Sequence, residues 1–168
     1  RVSRRTANGA YQVLGCPNGY DISIIRDTAA PNQFSILSYE RATGTPRIIP
    51  GSTWLDTGTS PAVQQTFYMG ISKDGQWGAM ILNDSNTVTV LNDRVITFRT
   101  DGLSPAIDIT ATAPVAASYF DGSLTYTNDF LMVGSSFGWM YTSATAPTTL
   151  VPLALPNTTA SILPNVLV

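Results

Sequence analysis

A two-residue rhythm of apolar and polar side chains constrains this chain more than any other feature. Tyr20-Asp21-Ile22-Ser23-Ile24 shows it, and Phe34-Ser35-Ile36-Leu37-Ser38-Tyr39 is similar. Thr87-Val88-Thr89-Val90-Leu91 and Val95-Ile96-Thr97-Phe98-Arg99-Thr100 repeat it, with threonine expected to face out. Ile107-Asp108-Ile109-Thr110-Ala111-Thr112 alternates again. Thr66-Phe67-Tyr68-Met69-Gly70-Ile71, Leu124-Thr125-Tyr126, Phe130-Leu131-Met132-Val133 and Trp139-Met140-Tyr141-Thr142 are rich in strand formers. Period two places one face of a strand on a core and the other in water. β-Branched and aromatic residues suit that pleated, half-buried setting.

Turn chemistry supports the same reading. Lys73-Asp74-Gly75-Gln76 separates two strand-like runs, and Asp-Gly is a hairpin signal because both residues tolerate positive φ. Leu91-Asn92-Asp93-Arg94 links the next pair, and Asp101-Gly102 and Asp121-Gly122 close two more strands. Most prolines fall between strand candidates, where a missing N–H does no harm. No stretch of about eleven residues carries helical spacing. The best local helical turn is Ser60 to Gln65. Roughly nine to eleven short strands, punctuated about every 8–12 residues, predict an all-β, antiparallel β-sandwich or jelly roll. No internal repeat is visible in the residues, which argues against a propeller or β-helix.

Two segments depart from this scheme. Gly44 to Gly58 holds prolines, glycines and Trp54, and reads as a long surface loop or an edge segment. The tail from Ala144 to Val168 mixes prolines with apolar residues, which rules out a central strand. Left in water it would be a large apolar patch. The expected organisation is a basic hinge or linker over residues 1–10, a β-sandwich domain over 11–150, and a tail over 151–168 that packs on its own domain or on a neighbouring subunit.

Composition narrows the function. The chain of 168 residues has one cysteine and no histidine. That removes Ser-His-Asp and Cys-His pairs, histidine metal sites and internal disulfides. Cys16 is expected to be a small buried apolar residue. Gly134-Ser135-Ser136-Phe137-Gly138 has the wrong spacing for a nucleophile elbow and reads as a turn. An aspartate pair in a groove is the one remaining route to hydrolysis. Most of the aspartates sit in turn contexts, and Asp108 lies in the outward phase of its strand. Asn83, Asp84, Asn86, Asn92 and Asp93 gather at one hairpin, but their spacing fits turns better than a calcium loop. No catalytic residue, metal or cofactor is expected. The sequons Asn83-Asp84-Ser85 and Asn157-Thr158-Thr159 matter only on a secretory route.

Charged residues make up only 12% of the chain, about half the usual share, and the net charge is −2. No global field draws in nucleic acid or anionic lipid, and no apolar run approaches a membrane span. The exception is the Arg1, Arg4 and Arg5 arm, either a solvated terminus or a contact with nucleic acid or an acidic neighbour. Binding is left as the leading expectation. The candidate receptor- or glycan-binding residues are Trp54 in the irregular segment and Asp74, Gln76 and Trp77 at the Asp-Gly hairpin. An exposed tryptophan stacks on sugars or anchors protein contacts; the competing reading is that Trp54 and Trp77 fill the core, as Trp139 is expected to.

The basic stub Arg1 to Arg5, the Thr/Ser/Ala-rich alternating strands and the apolar, Pro-rich ending Val151 to Val168 together resemble the protruding, or spike, domains of small non-enveloped RNA virus capsids. That resemblance implies a β-sandwich or jelly-roll head on the virion surface, dimeric or trimeric, whose loops meet a host-cell receptor or glycan. From charge and hydropathy, no membrane insertion and no nucleic-acid role are expected for this domain. The competing readings are the carbohydrate-binding head of a phage or bacterial fibre, a carbohydrate-binding module, an aspartate-pair hydrolase, and a structural or matrix protein.

Overall fold

The structure, a computed structural model, describes residues 13–26, 33–55, 66–83, 94–113, 120–135 and 138–153. These form three antiparallel sheets, each from a consecutive piece of chain. The first contains β1 (Leu14–Gly15), β2 (Tyr20–Arg26), β3 (Gln33–Glu40), β4 (Thr45–Ile48) and β5 (Trp54–Leu55). β4 and β5 share one edge of β3, β4 opposite Leu37 to Glu40 and β5 opposite Gln33 and Phe34. The first sheet is therefore four strands wide. The middle sheet holds β6 (Thr66–Ile71), β7 (Trp77–Asn83), β8 (Arg94–Arg99) and β9 (Ile107–Asp108). The third holds β10 (Phe120–Tyr126), β11 (Phe130–Ser135), β12 (Gly138–Ser143) and β13 (Val151–Pro152).

The fold is all-β and antiparallel, as the alternation predicts. Within each sheet the strands lie in chain order, so each is a meander. The Greek-key order of a jelly roll is not among the described pairings. The chain thus repeats one topology three times, although its residues show no repeat. The edge reading of Gly44 to Gly58 holds for β4 and β5. Asp121-Gly122 does not close a strand: it lies inside β10, where the register with β11 shifts between Phe120 and Leu124. Ile107 to Thr112 makes only a two-residue strand before a 3-10 turn over Thr110–Thr112. There Asp108 accepts hydrogen bonds from the Thr110 backbone and hydroxyl, which compete with the ladder. The Arg1 to Arg5 arm, the Ser60 to Gln65 turn, the Thr87 to Leu91 run and the tail beyond Leu153 lie outside the described residues.

The sheets pack face to face through two cores. Ile22, Ile24, Phe34 and Ile36 of the first sheet meet Met69, Met80, Ile96 and Phe98 of the middle sheet. The opposite phase of the middle sheet, with Ala79, Ile81 and Val95, meets Leu124, Leu131, Val133 and Met140 of the third. The middle sheet is consequently dry on both faces. This corrects the expectation that every strand wets one side. In β8, Val95, Ile96, Thr97 and Phe98 are all buried. Thr97 does not face out: its hydroxyl donates to the Pro147 carbonyl at 2.8 Å, which satisfies it inside the second core. Thr100 is also fully buried and donates to the Gly75 carbonyl.

Candidate functional site

The β6–β7 turn carries most of the candidate residues, and its local chemistry explains its shape. Ser72 N–H donates to the Trp77 carbonyl at 2.8 Å and Gly75 N–H to the Ser72 carbonyl at 2.9 Å. Gly75 has φ 76°, and a Cβ there would sit 2.7 Å from Cδ of Pro17 in the neighbouring turn, so glycine is required twice over. Asp74 Oδ1 accepts from the Ser72 hydroxyl at 2.7 Å and from Gln76 N–H at 3.0 Å. Those bonds, the Ser72 hydroxyl first, hold the Asp74 carboxyl below its ordinary pKa, so it is a carboxylate at neutral pH.

Trp77 opens β7 opposite Arg99 on β8. The Arg99 guanidinium lies 5.5 Å from the centre of the Trp77 ring, a cation–π contact. Arg99 also donates to Gln76 Oε1 at 3.0 Å and approaches Asp101 at 3.2 Å. Trp77 is half-buried, with one ring face occupied by Arg99, while Gln76 and Asp74 are exposed. The structure therefore brings Asp74, Gln76 and Trp77 together at one hairpin end.

Trp54 does not join them. Its backbone pairs with Phe34, whereas the first sheet's turn beside Gly75 adjoins Tyr20, which pairs with Glu40 at the other end of β3. Several residues of extended strand, at about 3.3 Å each, separate the Phe34 end of β3, where Trp54 pairs, from its Glu40 end. The physical reason is the edge role of β5, which places Trp54 along β3 rather than in a free loop. Trp139 is buried, as expected, and its indole N–H has no partner.

Beside the hairpin lies an open cleft of about 390 Å³ lined by Ser72, Lys73, Asp74, Asn128, Ala144 and Thr145. Its two walls come from different sheets. Asn128 sits in the β10–β11 turn, where Thr127 N–H donates to the Phe130 carbonyl at 2.8 Å. Ala144 follows β12, and its N–H donates to the Asp129 carbonyl at 2.9 Å. The Tyr126 hydroxyl is buried without a hydrogen-bond partner, and burial, with a smaller push from the Asp74 charge, raises its pKa well above the ordinary phenol value. A second cleft of about 330 Å³, lined by Leu14, Gly15, Pro17, Ile71 and Ser72, lies between the first two sheets. The opening turns of all three meanders thus gather at one end of the stack.

Sequence reasoning missed Lys73, Asn128, Thr145 and Arg99. Asn128-Asp129 between two strand-like runs was a readable turn signal; its closeness to Asp74 depends on sheet stacking, which no local pattern encodes. Cys16 is buried, and desolvation pushes its thiol up to about 11, with Asp21 adding and Arg41 opposing. It is a neutral packing group at neutral pH. Among the described residues no three His, Cys, Asp or Glu side chains are grouped to hold a metal. Comparison with protein-family models, curated proteins and solved structures finds no match to this chain.

Proposed function

We propose that this chain is a recognition domain of the capsid-spike kind, which binds a hydroxyl-rich receptor group, most simply a glycan, at its hairpin end and performs no chemistry on it. The observation that carries the reading is the cleft in which Ser72, Lys73 and Asp74 of one sheet face Asn128 and Thr145 of another. A carboxylate, an ammonium, an amide and hydroxyls offer both donors and acceptors to sugar hydroxyls. Ala144 supplies a small apolar floor, and the Trp77–Arg99 stack stands at the same hairpin. Arg99 covers one face of Trp77, so the stacking role expected of Trp77 alone passes to the pair. The head of a phage or bacterial fibre would use the cleft in the same way.

The test is a glycan array followed by calorimetry on the hits. Asp74→Ala and Asn128→Ala should each weaken binding by about tenfold or more, roughly 1.4 kcal/mol, with the circular dichroism spectrum unchanged. An array without hits, or hits bound equally by both variants, would overturn the assignment. Turnover of any bound saccharide would overturn the non-catalytic part.

A further inference from the structure

The opening strands of the three meanders end alike. β1, β6 and β10 each stand first in the strand order of their sheet, and among the described residues no strand pairs with their outer edges. Cys16 N–H donates to the Tyr20 carbonyl at 2.7 Å, so the neighbouring pair, Gly15 and Asp21, exchanges no ladder bonds. Ser72 N–H donates to the Trp77 carbonyl at 2.8 Å and leaves Ile71 and Gly78 as the unbonded pair. Thr127 N–H donates to the Phe130 carbonyl at 2.8 Å and leaves Tyr126 and Leu131. In an antiparallel ladder the amide and carbonyl of such a residue point away from the partner strand. Gly15, Ile71 and Tyr126, each the last residue of its strand, therefore turn an N–H and a C=O to a free edge.

The two clefts join these edges. The 330 Å³ cleft is lined by Gly15 on one side and by Ile71 and Ser72 on the other. The 390 Å³ cleft is lined by Ser72 and by Asn128, two residues beyond Tyr126. Ser72 belongs to both, and its hydroxyl is already committed, donating to Asp74 and accepting from Trp77 N–H. One sheet separates the clefts, so a ligand that enters both crosses a layer spacing of about 10 Å, and the three edges span about 20 Å. The linings differ in kind. Lys73, Asp74 and Asn128 face the larger cleft, whereas Leu14, Pro17 and Ile71 surround the smaller one beside the free backbone groups of Gly15. The smaller cleft is held in shape. The Arg41 guanidinium donates to the Cys16 carbonyl at 2.8 Å and to the Tyr20 carbonyl at 2.9 Å. The Asn18 amide donates to Thr100 Oγ1 at 2.9 Å, and that hydroxyl donates to the Gly75 carbonyl, which ties the first turn to the hairpin.

We propose that the smaller cleft is a second subsite, and that the ligand is a linear oligosaccharide laid across the sheet ends from Asn128 to Gly15 rather than a single sugar in the larger cleft. One sugar occupies the polar cleft. The chain then passes Ser72, and a later sugar sets its C–H face on Pro17 and Ile71 and its hydroxyls on the N–H and C=O of Gly15. Apolar walls with one well-placed donor and acceptor suit a sugar ring, which is apolar on its faces and polar at its rim. The fixed turn and hairpin spare the ligand the cost of ordering them. This inference rests on the glycan reading of the larger cleft and adds a chain length and a direction to it.

Calorimetry with the glycan-array hits, each cut to fragments of one to four sugars, tests it. Affinity should rise about tenfold or more from the single sugar to the longest fragment, the effect of roughly two added hydrogen bonds. Gly15→Pro removes an N–H that no ladder bond uses, a change an edge strand tolerates. It should cut that length ratio to about threefold or less. Pro17→Ala, at an exposed turn position, removes the apolar lip and should reduce the ratio in the same direction. Melting temperatures identify which variants fold, and either one suffices. An array without hits overturns the glycan reading and the track with it. A single sugar that binds as tightly as the longest fragment, or a length ratio that survives in a folded variant, overturns the track and leaves the larger cleft as the whole site.

Discussion

The middle sheet and the two outer sheets are built from the same strand topology but live in different solvents. In β8 of the middle sheet both phases are dry, with Val95 and Thr97 toward one core and Ile96 and Phe98 toward the other. In β11 of the third sheet, Leu131 and Val133 are buried while Phe130 is exposed. Alternation reports a one-sided strand; a two-sided strand reads as a nearly continuous apolar run, as in buried parallel sheets. The lesson is that a threonine in the polar phase of a strand marks a satisfied hydroxyl as readily as a wet face. Thr97 is the case in point.

The largest expected contrast is between aromatic residues. Phe98 is fully buried, and its ring would meet a Cβ on Gly78 at 2.3 Å, so it fills its site. Phe98→Ala should cost about 3–5 kcal/mol in urea unfolding. Phe130→Ala, 44% exposed at the outer face, should cost about 1 kcal/mol or less. Equal losses would erase the distinction between the sheets.

Glycine sharpens the comparison next. Gly70 faces the third sheet, and a Cβ there would press on Leu124 Cδ2 at 2.5 Å. Gly70→Ala should destabilise by about 1–3 kcal/mol through overpacking. Gly15→Ala, in the first sheet, meets only ordinary contact with Asp21 at 3.4 Å and should be nearly neutral. Thermal melts of the two variants, run side by side, read the difference.

Threonine gives a smaller effect. Thr97→Val leaves the Pro147 carbonyl without its donor and should cost about 1–2 kcal/mol. Thr125→Val, exposed on β10, should stay within about 0.5 kcal/mol.

The smallest effect is a pH slope. The folded Cys16 thiol titrates near 11, above its unfolded value, so its contribution is complete below about pH 9. It is lost as pH rises from there toward 11. Cys16→Ala should flatten that alkaline limb of the stability curve. A thiol reagent at pH 8 should label the unfolded chain and spare the native one; rapid native labelling would contradict the burial of Cys16.

Much of the strand map was legible because period two is a local property. β2, β3, β6, β8, β11 and β12 all contain runs that the alternation marks. The Asp74-Gly75 turn was legible because its chemistry lies within a few residues. Sheet stacking was not legible. Whether Ile96 and Val95 meet one core or two depends on what covers each face, and the strand itself carries no sign of its neighbours. The threefold topology was hidden for a similar reason: Cys16-Pro17-Asn18-Gly19, Ser72-Lys73-Asp74-Gly75 and Thr127-Asn128-Asp129 turn the chain at matching places with different residues. Half of the cleft was out of reach because Asn128 and Thr145 come to Asp74 only through that stacking. That Trp54 pairs along β3, away from the Asp74 hairpin, was likewise not legible, because a loop-like sequence says nothing about position along a strand edge.

Native-state amide hydrogen exchange tests the three-layer account most directly. A sheet covered on both faces exchanges only when the whole domain opens, whereas outer strands open locally. The slowest amides should be those of β7 and β8, Ala79 to Ile81 and Val95 to Phe98, exchanging at the global unfolding free energy. If β8 exchanges like a surface strand while the slowest amides lie in β2 or β12, the middle sheet is not the buried layer and the architecture described here is wrong.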